Sequence, residues 1–240
     1  MRIEVTPDGP YVVTGSVPMA RQVIGGDAMG QSTKWVQGED YPVAESYELC
    51  RCGRSQNKPY CDGSHERVRF DGTETASQRS YLGQAEEQTG PELALTDAPA
   101  FCAFARFCDA DGQVWKLLKI PGQGETAARQ AAHCPSGRLT AWASRSPLEP
   151  ELPPSRSPFE PELSLSRSPI EPELPPSIGI VEDEVAGVGG PIWVRGGIPV
   201  TSADGQNYEV RNRVTLCRCG NSRNKPFCDG SHVTIRFTGA

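Results

Sequence analysis

The chain has 240 residues, of which 37% are hydrophobic, with 25 glycines and 22 prolines. Such a composition predicts a loop-rich protein with modest cores, in which a bound metal could act as a staple. A net charge of −6 and a pI near 5.2 argue against nucleic acid or an anionic membrane surface as partner.

No charged-then-apolar leader follows Met1, and Pro7, Asp8, Gly9 and Pro10 break the N-terminus early. No apolar run approaches the roughly 18 residues that a membrane span needs. Tyr11–Val13 reads as a short strand bounded by Gly and Pro. Gly25–Gly38 follows as a surface loop. Tyr47–Leu49 and Val68–Phe70 read as further strands, completing a first unit over 1–79. A small α+β insertion over 80–143 comes next. It predicts a short helix from Asp97 to Cys108, with Asp97 as N-cap and Pro99 in the first turn. Val114–Ile120 reads as a strand and Glu125–His133 as a helix ended by Cys134, Pro135, Ser136 and Gly137. Residues 144–176 carry three copies of an eleven-residue unit, SRSPLEPELPP, SRSPFEPELSL and SRSPIEPELPP. Composition favours an extended proline-rich linker there. The recurring Leu148, Phe159 and Ile170 leave open a stack of successive turns. The last unit, 177–240, repeats the first, with strands at Ile192–Val194, Val210–Leu216 and Thr234–Phe237.

The repeat is tightest at Cys50–His65 (CRCGRSQNKPYCDGSH) and Cys217–His232 (CRCGNSRNKPFCDGSH), both C-x-C-x8-C-x3-H. Together they hold six of the nine cysteines and two of the three histidines. Cys50 to Cys217, His65 to His232 and Phe70 to Phe237 share an offset of 167. The preceding Gly9–Pro18 and Gly190–Pro199 share an offset of 181, so the first half carries fourteen extra residues (181 minus 167). Soft thiolates plus an imidazole at fixed spacing mark a metal site. In the loops, Gly53 and Gly220 allow a sharp turn, and Pro59 and Pro226 fix the approach to the third cysteine. The CDGSH run resembles the start of a helical turn, placing Cys61 and His65 on one face. Three thiolates and one imidazole would complete a tetrahedral zinc site, and would equally hold a [2Fe–2S] cluster. Disulfides would leave the histidine unexplained.

The pattern C-x-C-x2-S-x3-P-x-C-D-G-S-H, present twice without gap or substitution, resembles the signature of the CDGSH iron–sulfur (NEET) family. The resemblance implies a tandem form in which Cys50, Cys52, Cys61 and His65 bind one [2Fe–2S] cluster. Cys217, Cys219, Cys228 and His232 would bind a second. Single-motif members of the family are homodimers sharing a β-cap. The resemblance thus implies a mostly β fold with irregular loops and a few short helices. In it, two cluster-binding units would form an intramolecular pseudo-dimer with a shared β-cap. The long insertion departs from that pattern. The imidazole ligand raises the reduction potential relative to an all-cysteine ferredoxin and adds a titratable group, allowing proton-coupled electron transfer. Asp62 and Asp229 read as helix N-caps or acceptors for backbone N–H groups. Ser55 and Ser222 could donate to a cluster sulfur, and Lys58 and Lys225 could bias the local charge or simply face solvent.

Cys102, Cys108 and Cys134-Pro135 loosely resemble a small mono-cluster ferredoxin, and three thiolates would suffice for a third cluster. The bulky Ala-Phe-Ala-Arg-Phe between Cys102 and Cys108 and the short gap to Cys134 weigh against it. Buried free cysteines are the favoured reading there. His133 has no partner spacing that suggests a ligand. No catalytic constellation or dinucleotide fingerprint is legible, so the chain is not expected to be an enzyme. The expected function is a soluble, cytoplasmic iron–sulfur protein for electron transfer, redox sensing or cluster transfer. It would be a monomer with an internal pseudo-two-fold, serving redox or cluster-acceptor proteins. A zinc-binding structural or interaction module is the alternative.

Overall fold

The computed structural model describes residues 1–143 and 168–239. Its first five strands are β1 (Arg2–Val5), β2 (Tyr11–Thr14), β3 (Met19–Gly26), β4 (Ser32–Tyr41) and β5 (Ser46–Leu49). The one-turn helix α1 (Ser64–Arg67) follows the first cysteine loop. The middle segment holds β6 (Glu86–Thr89), β7 (Leu93–Asp97), the short α2 (Val114–Leu117), α3 (Gly124–His133) and β8 (Leu139–Ala143). Then come β9 (Pro169–Ile170), β10 (Ser177–Asp183), β11 (Val188–Arg195), β12 (Val200–Thr201), β13 (Arg213–Leu216) and α4 (Ser231–Thr234). The fold is mostly β, with irregular loops and short helices.

Three sheets form, in strand orders β12-β1-β2-β5, β13-β11-β10-β3-β4 and β6-β7-β8-β9. The first two exchange strands reciprocally. β3, from the first half, pairs in parallel with β10 of the second, matching Met19 with Ile178 and Val23 with Glu182. β12, from the second half, pairs in parallel with β1 of the first, matching Ile3 with Val200. Alternation explains how these sheets face each other. Tyr11 and Val13 of β2 and Tyr47 and Leu49 of β5 point inward. They meet Ile178, Ile180, Ile192, Val194 and Leu216 in one core shared by both halves. Every residue of β13 is buried, and of the seven residues of β10 only Glu182 escapes full burial. A second layer covers β10, where Phe107 and Ala105 of the middle segment pack with Val181, Trp193 and Ile24. The middle segment has its own core, in which α3 places Ala127 and Ala131 against Leu93, Leu95 and Leu139.

Several local expectations are corrected. The runs after each histidine are not strands. Val68 and Phe70 donate back to the carbonyls of Ser64 and His65, and Ile235 and Phe237 to those of Ser231 and His232. Arg69 and Arg236 then end each turn at φ 50° and 51°. Helical hydrogen bonds set up by the loop override the β-propensity of Val, Thr and Ile. Gly25–Gly38 is no loop but most of a β3–β4 hairpin, turned where Asp27 accepts hydrogen bonds from the N–H groups of Met29 and Gln31. Val114–Ile120 is helical because Val114 and Leu118, one turn apart, both bury against α3. The expected Asp97–Cys108 helix is replaced by two separate 3₁₀ turns, Pro99–Phe101 and Phe107–Asp109. Asp97 is instead the last residue of β7, its carboxylate held by Arg138 (2.6 and 2.9 Å) and Trp115 (3.0 Å). The Glu125–His133 helix is present as α3. Most of the eleven-residue repeats (144–167) lie outside the described residues. The end of the third copy pairs Ile170 with Ala141 and sets Glu171 on Arg213 at 2.7 Å.

Candidate metal centres

Both cysteine loops are built by the same backbone devices. The N–H of Cys50 donates to the Pro59 carbonyl (2.8 Å) and that of Cys61 to Glu48 (3.0 Å), closing the loop at the end of β5. Cys217 to Pro226 (2.8 Å) and Cys228 to Thr215 (2.9 Å) do the same at the end of β13. Asp62 accepts from the N–H groups of Gln56 (2.8 Å) and Ser64 (3.0 Å), which hold its carboxyl below the ordinary range. Asp229 accepts from Arg223 (2.9 Å) and Ser231 (3.0 Å). The aspartates are thus loop clamps, as one reading of the sequence had it. Ser55 and Ser222 depart from expectation. Their hydroxyls donate to the carbonyls of Tyr60 (2.7 Å) and Phe227 (2.6 Å), leaving no proton for a cluster sulfur.

The donors come together as pairs. Cys50 Sγ lies 3.9 Å from Cys52 Sγ, and Cys61 Sγ lies 3.4 Å from His65 Nδ1. The second loop repeats this, with Cys217 and Cys219 sulfurs 3.6 Å apart and Cys228 Sγ 3.4 Å from His232 Nδ1. Donors bound to one tetrahedral metal at about 2.3 Å would sit roughly 3.8 Å from one another. Each pair therefore has the reach of one metal's edge. Among the described residues, no three His, Cys, Asp or Glu side chains converge on a single ion position. The four donors of each loop thus come together as a thiol pair and a thiol–imidazole pair. The thiol proton of Cys52 given to Cys50 lowers the Cys50 thiol, and the same pairing lowers that of Cys217. Backbone N–H groups point at the sulfurs as well, from Arg54 to Cys52 (3.4 Å), Gly63 to Cys61 (3.5 Å) and Gly230 to Cys228 (3.4 Å).

The two loops touch. A Cβ on Gly53 (φ 74°) would lie 2.7 Å from the Cys219 carbonyl, and one on Gly220 (φ 81°) 2.6 Å from that of Cys52. Only glycine allows both the left-handed turn and this reciprocal approach. Tyr11 ties the halves further, donating to the Cys217 (2.8 Å) and Pro226 (3.0 Å) carbonyls.

Their surroundings differ. Cys61 and His65 are half-buried, and an open groove lined by Pro7, Asp8, Glu66, Arg69 and Phe70 reaches His65. Cys228 and His232 are 2% and 3% exposed. Burial, then the nearby Arg218 cation, pushes the His232 imidazole down to about 4.

Sequence reading passed over Arg51 and Arg218, the residues inside each C-x-C. Both are buried, at 1% and 2% exposure. Arg51 donates to the carbonyls of Thr6 and Gly72 and lies over the rings of Tyr11 and Phe70. Arg218 also binds backbone carbonyls, of Gly190 and Val181, but adds an ion pair to Glu182 at 2.6 Å. Their matched place in the repeat was the available signal.

Cys102, Cys108 and Cys134 line one small pocket with Ala103, Phe104 and Phe107. All three are half-buried, and burial pushes the Cys108 thiol up to about 12. The bulky loop is accommodated by left-handed residues at Phe104 and Arg106 (φ 55° and 61°). Phe107 leaves to pack on Trp35 at 4.9 Å. His133 also lies against Phe107, its ring tilted with centroids 5.3 Å apart.

Comparison with known families agrees with this layout. The family described as iron-binding zinc finger CDGSH type matches residues 8–66 and 189–233. A second family, described as divergent 4Fe-4S mono-cluster, matches residues 88–144. No curated protein matches the chain. Two CDGSH loops on reciprocally exchanged sheets, with three further cysteines gathered between them in sequence, mark an iron–sulfur protein that carries two CDGSH-type segments in tandem, with a segment similar to the divergent 4Fe-4S mono-cluster family between them.

Proposed function

We propose that the chain carries two [2Fe–2S] clusters, one held by Cys50, Cys52, Cys61 and His65 and the other by Cys217, Cys219, Cys228 and His232. It acts in electron transfer, redox sensing or cluster transfer. The two-plus-two donor pairing carries this reading, because a structural zinc would draw all four side chains of a loop around one point. When bound, such a cluster supplies one-electron chemistry at a potential raised by the imidazole. The chain's own residues direct N–H donors at the sulfurs, clamp the loops through Asp62 and Asp229, and exclude water from the second loop. The reciprocal strand exchange supports an intramolecular counterpart of a family homodimer. The middle pocket is the candidate place for a third cluster, since Cys102, Cys108 and Cys134 line it and the mono-cluster family match covers it. This favours a reading that the loop sequence alone weighed against. Catalysis belongs to a partner protein.

Among the described residues no helix is long and apolar enough to cross a membrane. Visible absorption with iron, zinc and sulfide analysis of the purified protein tests the proposal. A coloured protein bleached by dithionite supports it, with about four irons per chain for two clusters and about seven or eight if the middle pocket is filled. A colourless protein with two zincs per chain would overturn it.

A further inference from the structure

The two CDGSH loops superimpose in every clamp described above and differ in what lies on top of them. A Cβ on Gly63 would meet nothing within 4 Å, whereas one on the matching Gly230 would meet the Cys102 carbonyl at 3.1 Å and Phe104 Cβ at 3.4 Å. Asn224 of the second loop donates to the Ala100 carbonyl (2.9 Å), and the Phe101 ring packs edge-on against Phe227 at 5.3 Å. The same stretch of chain ends in a bidentate ion pair. Arg106 donates to both carboxylate oxygens of Asp183, at 2.7 and 2.9 Å, and Asp183 is only 1% exposed at the end of β10. A charged pair desolvated on its carboxylate side is a costly contact to open, unlike a surface pair.

We propose that residues 100–107 of the middle segment form a lid over the second CDGSH site, latched by Arg106 to Asp183, and that the lid confines exchange with outside partners to the His65 site. The inference rests on the assignment of His65 and His232 as ligands. In both loops Nδ1 faces a cysteine sulfur, so the outer ring nitrogen, Nε2, is the one a partner or reagent can reach. His65 lines the open Pro7–Phe70 groove, whereas His232 is 3% exposed and its loop carries the contacts of residues 100–104 at Gly230 and Asn224.

The test is diethyl pyrocarbonate labelling of the full-length, metal-loaded protein near neutral pH, with each histidine followed separately by peptide mass spectrometry. His65 is expected to react at least tenfold faster than His232. Arg106→Ala and Asp183→Asn are expected to bring His232 to within threefold of His65, with the His65 rate unchanged. Arg106→Lys keeps a charge opposite Asp183 and is expected to restore most of the protection. Equal rates in the unaltered protein would overturn the lid, and that measurement needs no variant to fold. Unchanged His232 protection in folded Arg106→Ala and Asp183→Asn would overturn the latch. Iron analysis of the same samples separates the two claims, because a protein without iron defeats the ligand assignment while the labelling still reports on the lid.

Discussion

The first and second CDGSH loops carry the same ligand spacing, the same serine and aspartate clamps and the same left-handed glycines, yet one is open and the other sealed. His65 borders a groove, whereas His232 is 3% exposed beneath another part of the chain. Arg51 binds carbonyls, whereas Arg218 is also neutralised by Glu182. The comparison teaches that a duplicated ligand set does not yield duplicated sites. Packing around the loop, supplied from outside the motif, sets access and local charge.

The strongest way to break the comparison is to disturb what the loops share. Gly53→Ala would force a left-handed alanine, costing about 1–2 kcal/mol, and press its Cβ against a backbone carbonyl of the other loop. A total loss of more than about 3 kcal/mol is expected, with iron lost from both loops together. Urea denaturation and iron content check this, and loss from one loop alone would contradict a shared interface.

Next in size is the anchor peculiar to the second half. Burial works to raise the Glu171 carboxyl, but hydrogen bonds from Arg213 and its charge overcome that and hold it below its ordinary 4.5. A depressed carboxyl stabilises above its unfolded value, and that stability is lost as pH falls through the folded one. The segment carrying Glu171, just after β9, is therefore expected to loosen below about pH 4.5. Glu171→Gln should cost about 3 kcal/mol at neutral pH, because Arg213 is left buried and unpaired, and should flatten the acid dependence. Denaturation midpoints between pH 3 and 7 measure both.

A finer contrast comes from the glycines that open the histidine turns. Gly63→Ala should cost only the left-handed penalty of about 1–2 kcal/mol, while Gly230→Ala should cost about 1 kcal/mol more for its contact with Cys102. Equal losses would mean that the lid does not bear on Gly230. The smallest expected effect is on potential. Burial and the Arg218–Glu182 pairing both disfavour the extra negative charge of reduction, so the second site should have the lower potential. Glu182→Gln should raise that potential by up to about 60 mV, a tenfold change in equilibrium constant, with the first site unmoved. A redox titration followed by visible circular dichroism resolves the two waves.

The shape of the cysteine loops was legible in the sequence because it is set locally, by glycines and prolines at fixed spacing within sixteen residues. The helix read at Glu125–His133 was legible for the same reason, through the local stop that Cys134, Pro135, Ser136 and Gly137 put after it. The turns after His65 and His232 misled because Val, Thr and Ile favour strands in isolation. There the first turn is dictated by the loop clamped at Asp62 and Asp229. The hairpin of β3 and β4 was hidden by its glycines, which normally signal a loop. Strand exchange and the lid depend on contacts between residues at least 77 positions apart, which no local pattern encodes.

The parallel pairing of β3 with β10 also sets a timetable for synthesis. β3 is complete at Gly26, but its partner begins at Ser177, so roughly 150 further residues must be made before the second sheet can close. At ordinary elongation rates that interval is on the order of 10–30 s. Throughout it, the emerging first half has only β4 to cover one edge of β3, and its other edge offers unpaired backbone groups to any neighbouring chain. The first half is therefore obliged to wait, and a chain cut anywhere in the middle would leave behind a fragment with an open, adhesive sheet edge.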